Sequence, residues 1–285
     1  MIDVHVHPVQ VAELHAADPT LDRAVRDVFG LGMPPQPLAT LLLHLDAGGI
    51  DQAVMLPIDC TTAHGCTVVS NEQAAWLAGQ SSRLIGFASV DPSLPDAPAA
   101  LEHAVRGLGL RGLKLDPALQ QFRLDDEARA FPVYAMAETL DIPVLVHAGM
   151  SWAPKGRAAL AHPLALERVV QTFPRLRLVV AHFGWPWVAE TVMLALRYPN
   201  VSVDTSVLFS GTPAESLRQA LTSTVGLDTL DRSLSRQIVF GSNYPRVDPK
   251  RAVWAVQGLG LRPKLLRRVF HDNAAALLAP TSERP

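Results

Sequence analysis

The chain has 285 residues, with 25 Lys and Arg against 27 Asp and Glu, a formal net charge of −2. That balance excludes a basic surface for nucleic acid or for an anionic membrane. Apolar residues make up 48%, enough for one large buried core, and no apolar run reaches the ~18 residues that cross a bilayer.

The first segment, Ile2-Asp3-Val4-His5-Val6-His7, reads as a strand. Alternation puts His5 and His7 on one face, about 6.6 Å apart along the backbone at a rise of ~3.3 Å per residue. Two neutral imidazoles at that spacing can share a divalent ion. The plainer reading is a pair of buried histidines satisfied by backbone carbonyls. Residues 8–37 then separate this strand from its helix, far more than a usual βα loop. They hold a short helical stretch, Leu21 to Phe29, and the cluster Pro34-Pro35-Gln36-Pro37. Such an insertion serves as a lid, a subunit contact or a surface decoration.

Further apolar runs predict strands near 52–59, 84–91, 110–116, 143–149, 176–184, 200–206 and 237–243. Their nearly continuous Val, Ile and Leu content suits parallel strands covered by helices. Helical periods lie between them. Pro37 to Leu45 begins with proline and is ended by Gly48-Gly49, and Ser70-Asn71-Glu72-Gln73 carries a polar cap. Others are predicted near 95–107, 126–140, 163–173, 186–198, 213–223, 249–258 and 263–278. This alternation predicts an α/β fold, a (β/α)8 TIM barrel with a long insertion after the first strand, forming a single domain over 1–285. A doubly wound open sheet is the alternative, but the first turn lacks a glycine-rich phosphate loop. Two cysteines, Cys60 and Cys66, suit a reducing compartment. A strand starting at residue 2 leaves no room for a signal peptide, so the expected location is cytoplasmic. The expected partner is a small-molecule substrate. A homodimer is left open.

Several strands end in polar groups, which is how a parallel barrel delivers chemistry to one rim. His147 follows Val144-Leu145-Val146, and His182 follows Leu178-Val179-Val180-Ala181. Catalytic zinc sites use three protein ligands and leave a position for water or substrate, so three of these four histidines suffice.

Taken together, the chain resembles the amidohydrolase superfamily, in the amidohydrolase-related branch that includes aminocarboxymuconate-semialdehyde decarboxylase. The matching pieces are Asp3-Val4-His5-Val6-His7, Arg111-Gly112-Leu113-Lys114-Leu115-Asp116-Pro117, Pro143 to Gly149, Ala181-His182-Phe183-Gly184, Phe240-Gly241-Ser242-Asn243-Tyr244-Pro245 and Asn273-Ala274. The resemblance implies a mononuclear divalent metal, most often zinc, with manganese as an alternative. It implies His5, His7 and His147 as ligands and His182 as a catalytic or substrate-polarising residue. The implied activity is metal-dependent hydrolysis, or non-oxidative decarboxylation of an unsaturated or aromatic acid.

The departure is Asn243, where the family commonly has aspartate. An amide cannot act as general base, although its oxygen still binds metal or orients water. A catalytically silent ligand-binding barrel therefore stays among the readings. Asp204, ending Val201-Ser202-Val203-Asp204, is the best substitute carboxylate, with capping of the next loop as its plainer role. Asp116 and Lys114 share a face of the fourth strand, and Lys114 is a candidate anchor for a substrate carboxylate. His64, His162 and Trp185 lie on loops of the same rim and are candidate substrate contacts, with Trp152 and Trp187 as further walls. His15 can reach the site only from the insertion. His44, His103 and His271 fall within predicted helices and read as surface or packing residues.

Overall fold

The computed structural model describes residues 1–280. Strand β1 (Ile2–Val6) is buried along its whole length and leads into the insertion, which carries α1 (Ala12–Ala17), α2 (Leu21–Ala24) and a wide helical turn over Val25–Phe29. Helix α3 (Leu38–Gly48) follows; Pro37 sits just before it, and Gly49 ends it in the left-handed conformation at φ 66°. Next come β2 (Gln52–Met55), β3 (Ile58–Cys60), α4 (Thr61–His64), β4 (Cys66–Val68) and α5 (Asn71–Gln80). Ser70 and Gln73 cap α5 reciprocally, each side chain bonding the other's backbone N–H. The chain continues through β5 (Leu84–Gly86), α6 (Ala97–Arg106), β6 (Leu113–Leu115), α7 (Pro117–Gln120), α8 (Ala130–Thr139), β7 (Val144–Val146) and α9 (Leu166–Thr172). It ends with β8 (Leu178–Val180), α10 (Val188–Arg197), β9 (Val201–Asp204), α11 (Pro213–Thr224), α12 (Leu227–Arg232), β10 (Ile238–Val239), α13 (Pro249–Gln257), α14 (Pro263–Arg267) and α15 (Asn273–Leu278).

The parallel strands form two arcs, β1-β2-β5 and β6-β7-β8-β9-β10. Backbone hydrogen bonds join the arcs at both seams. On one side Ala88 N–H donates to Gly112 O and Lys114 N–H to Ala88 O, each at 2.7 Å. On the other, Val4 N–H reaches Phe240 O at 2.9 Å, His7 N–H reaches Tyr244 O at 2.8 Å, and Asn243 N–H reaches His5 O at 2.9 Å. The result is the expected TIM barrel. Its strands are shorter than the apolar runs predicted. After β2, Pro57 has no N–H for the ladder, and the chain leaves the barrel into the antiparallel β3–β4 hairpin.

Two apolar layers hold the barrel. The outer layer fills the space between strands and helices. The inner one packs Ile2, Val4, Val54, Phe87, Leu145 and Val179 against Leu277 and Leu278 of α15, which closes the bottom. A register irregularity in β1 between Asp3 and Val6 lets Val4 join this apolar floor while His5 and His7 face the polar upper end. The insertion is integral to the core. Leu21, Val25, Val28 and Phe29 are each at most 4% exposed, which removes the surface-decoration reading. The helix predicted over 263–278 is interrupted by a wide turn at Arg268–Asp272. There Asn273 Nδ2 instead ties the chain to Ser235 O at 3.0 Å and Ile238 O at 2.7 Å. No helix among the described residues is long and apolar enough to cross a membrane.

At the first seam there is room only for glycine. A Cβ on Gly112 would stand 2.3–2.5 Å from the Phe87 ring, which is buried. Gly112→Ala should therefore destabilise the fold by about 1–3 kcal/mol, read as a lower urea midpoint. Adding Phe87→Leu should recover part of the loss.

Candidate metal centre

Imidazole tautomers are decided here by what each ring can bond. Asp204, at the end of β9, is wholly buried. Burial opposes its ionisation, but His5, His182 and Ser206 outweigh that and hold its carboxyl well below the usual range. It is thus a carboxylate, and His5 Nδ1 donates to its Oδ2 at 2.7 Å. His7 Nδ1 has the Leu56 carbonyl at 3.2 Å, which can only accept. Both rings are therefore Nδ1–H tautomers with bare Nε2 lone pairs. Those two Nε2 atoms lie 3.1 Å apart. Burial pushes the His5 imidazole down to about 4 and that of His7 well below its ordinary value, so neither carries a proton to bridge the gap.

Two facing lone pairs repel unless a cation sits between them. For Zn–N bonds of 2.0–2.1 Å at a tetrahedral angle, ligand nitrogens are about 3.3 Å apart, close to the observed spacing. The Asp204–His5 and Leu56–His7 contacts are of the kind that orients histidines toward a metal ion. The residues fit a divalent ion.

His147 and His182 form the second half. His182 Nδ1 has the Ser206 carbonyl at 2.9 Å, and Ser206 Oγ lies 2.8 Å from the same nitrogen. That nitrogen is the donor, so His182 Nε2 accepts from His147 Nδ1 at 3.1 Å. His147 Nε2 is then left buried with no hydrogen-bond partner. A buried nitrogen lone pair without a partner costs about 1–3 kcal/mol, and coordination removes that cost. His182 also lies close to His5, with ring centroids 4.8 Å apart. By distance alone, His5, His182 and Asp204 form a cluster whose ligand atoms lie within 4.8 Å of one another. Hydrogen bonding argues otherwise for Asp204. Its Oδ2 is spent on His5, and its Oδ1 accepts from His182 N–H at 2.8 Å, from Ser206 N–H at 3.0 Å and from the Ser206 hydroxyl. Asp204 orients; His5, His7 and His147 carry the free lone pairs.

The backbone is bent to make this possible. His182 and Phe183 are left-handed at φ 60° and 49°, unusual for residues with side chains. The His182 N–H bond to Asp204 holds that turn. Gly149, at φ 91°, lets the β7 loop pass under Trp185, where a Cβ would meet the Trp185 carbonyl at 2.0 Å.

Above the histidines is a narrow recess. His7, Asp116, His147, His182, Ser206, Asn243 and Arg246 supply its polar wall, and Phe29, Trp152 and Trp185 its apolar one. Trp185 stacks on Phe209 with centroids 4.0 Å apart and planes 5° from parallel. Asp116 caps α7 through Leu119 N–H at 3.0 Å. Burial opposes its charge, but His147 and Lys114 outweigh it and keep its carboxyl below the ordinary value. Asn243, at φ 65°, is held by its N–H bond to His5 O.

Two expected substrate contacts, His64 and His162, do not line the recess. Lys114 is buried next to the histidines, 1% exposed with no hydrogen-bond partner at Nζ; its charge acts on His5, His7, His147 and His182, and burial lowers its amine to about 8. His64 ends α4, which leaves the mouth with the β3–β4 hairpin and packs on α7. His162 accepts from Leu164 N–H at 3.3 Å and lies against Trp187, centroids 4.5 Å apart. His15 bonds the Val9 carbonyl at 2.8 Å within the insertion. Ser206, Arg246 and Phe29 belong to the site without having been singled out. Ser206 had a usable signal, lying two residues beyond Asp204 at the end of a strand; the other two enter from loops.

A family model described as amidohydrolase matches residues 2–279. Similar solved structures include an uncharacterised TIM-barrel protein from Bordetella bronchiseptica, at 23% identity and TM-score 0.76, covering 98% of each chain. A protein from Pseudomonas putida described as a 2-pyrone-4,6-dicarboxylic acid hydrolase matches at 20% identity and TM-score 0.68, over 97% of this chain and 96% of the other. A 5-carboxyvanillate decarboxylase from Novosphingobium aromaticivorans, solved with bound manganese, matches at 18% identity and TM-score 0.60, over 97% and 95%. At these identities the structures establish likeness of fold.

Asp204→Asn keeps the size but removes the charge that fixes the His5 tautomer. Affinity for a divalent ion should fall about ten- to a hundredfold, measured by competition with a chelating dye. His64→Ala and His162→Ala should leave it unchanged.

Proposed function

The chain belongs to the amidohydrolase family, and from that premise we propose that it is a metal-dependent hydrolase acting on a small carboxylate-bearing organic substrate. The observation that supports this reading is geometric: the His5 and His7 Nε2 atoms lie 3.1 Å apart, His147 Nε2 is buried without a partner, and Asp116, kept ionised by His147 and Lys114, stands on the wall of the same recess. A carboxylate beside a cation site suits deprotonation of water.

His5, His7 and His147 would hold the ion, zinc in this reading with manganese as the alternative. When bound, such an ion supplies Lewis acidity, polarising an oxygen of the substrate and lowering the pKa of water. The chain's own groups do the rest. Asp204 and the Leu56 carbonyl keep two imidazoles in the binding tautomer. His182, its Nδ1 tied to Ser206 and its Nε2 to His147, holds the His147 ring in place, and Asp116 is the acceptor for the proton released by water. Asn243 orients by hydrogen bonding and takes no proton. Trp152, Trp185 and Phe29 exclude water from one side and suit a flat substrate.

A carboxy-lyase acting on an unsaturated or aromatic acid is the second reading. The aromatic wall and the named activity of the manganese-bearing fold relative favour it. Metal analysis and a panel of lactones, amides and aromatic acids separate the readings. Hydrolysis predicts roughly one divalent ion per chain, with acid release from the lactones, seen by pH-stat, or amine release from the amides, that a chelator abolishes. Release of carbon dioxide instead would establish the lyase. Failure to take up zinc or manganese, with no turnover, would leave a ligand-binding barrel.

Asn243→Asp tests the amide directly. With Asp116 already able to take the proton, turnover should change no more than a few fold. A gain on the order of 10² or more would show that a missing proton acceptor limits the natural chain.

A further inference from the structure

Arg246 lies on the loop after β10, three residues beyond Asn243, and its N–H donates to the Asn243 carbonyl at 2.9 Å. Its guanidinium lies over the Phe29 ring, 4.7 Å from the centroid, and one terminal nitrogen donates to the Phe29 carbonyl. Among the described residues no carboxylate reaches ion-pair distance of it. Burial lowers its pKa to about 10, so it is still a cation at neutral pH. A guanidinium has five N–H donors, and most of those of Arg246 are unspent.

Its position is unusual in a second way. Arg246, Trp152 and Leu208 line the metal-site recess and also an open outer groove. Met33, Pro213 and Val247 give the groove an apolar stretch, beside Ser210, Asp248 and Arg251. Trp152 is fixed in the partition by its indole N–H, which donates to Leu208 O at 2.8 Å. The two spaces meet at this wall, and Arg246 is common to both.

We infer that Arg246 anchors a carboxylate of the substrate at the junction of the two spaces, with the reacting group over the histidines and an apolar arm in the outer groove. The inference rests on the carboxylate-bearing substrate proposed above and moves the anchoring role from Lys114 to Arg246. Arg suits it because its planar fork binds a carboxylate through two parallel hydrogen bonds. The arm makes the substrate class an elongated, amphipathic organic acid.

Binding calorimetry tests this without turnover, using benzoate, biphenyl-4-carboxylate and their neutral amides on metal-loaded and on chelator-treated protein. The acids should bind about ten- to a hundredfold more tightly than the amides in both preparations, the range expected for a hydrogen bond to a charged group. Arg246→Gln should reduce that ratio to near one, and Arg246→Lys should restore part of it. Gly211→Phe fills the groove without strain, since a Cβ there meets only the Glu215 carboxylate, at 3.8 Å. It should remove the advantage of biphenyl-4-carboxylate over benzoate and leave benzoate binding as it was. Unfolding midpoints check that each variant folds. An acid preference that survives Arg246→Gln in chelator-treated protein would overturn the anchor. A biphenyl advantage that survives Gly211→Phe would overturn the arm. Loss of the acid preference on Arg246→Gln, in a protein that never takes up metal, would leave the anchor standing and remove the hydrolase reading instead.

Discussion

Two nitrogen lone pairs held face to face are the constraint from which the rest of the upper barrel follows. Left alone, His5 and His7 could turn or change tautomer and hydrogen-bond to each other. Asp204 and the Leu56 carbonyl prevent this by claiming both Nδ1 protons. Each of these partners comes from a different strand or strand end, so the arrangement exists only in the closed barrel. The fold thereby spends hydrogen-bonding capacity on an arrangement that is unfavourable without a cation. That is the expected signature of a binding site, where stability is given up for function.

The same logic explains the left-handed pair His182 and Phe183. Their backbone strain persists because the Asp204 carboxylate accepts the His182 N–H, and Ser206 fixes the ring that results. Asp204 thus serves two histidines at once, one by its charge and one by its position. It is the residue whose loss should spread furthest. Asn243 enters differently, binding the barrel seam through its backbone and the recess through a neutral side chain. Replacing a carboxylate there takes one negative charge from the cation site and leaves Asp116 as the ionised acid facing the substrate. Arg246, on the same loop, adds a positive charge to that wall. A wall with one acid removed and a guanidinium present fits the anionic substrate proposed above.

Much of this was legible in the residues. The alternating apolar runs and helical periods specified a barrel, and the polar groups that end its strands marked His5, His7, His147, His182, Asp116, Asp204 and Asn243. All of them lie in or just beneath the mouth. Strand lengths were overread, because an apolar run cannot distinguish residues in the ladder from buried residues just past it. Pro57 was the sign that the second strand had to stop. His64 and His162 were assigned to the rim by loop membership, which gives an end of the barrel but not a direction. Lys114 has the inward register of its neighbours yet sits below the recess, a depth that periodicity does not encode.

What the chain's own order of residues determined was the type of each element and which chemistry stood at its end, since both depend on local period and residue identity. Tertiary structure alone decided the tautomers, the division between orienting Asp204 and lone-pair-bearing histidines, and the place of Arg246 between two spaces. Those depend on distances between groups as far apart in the chain as His5 and Asp204. Such distances are settled by closure of the sheet and the packing around it.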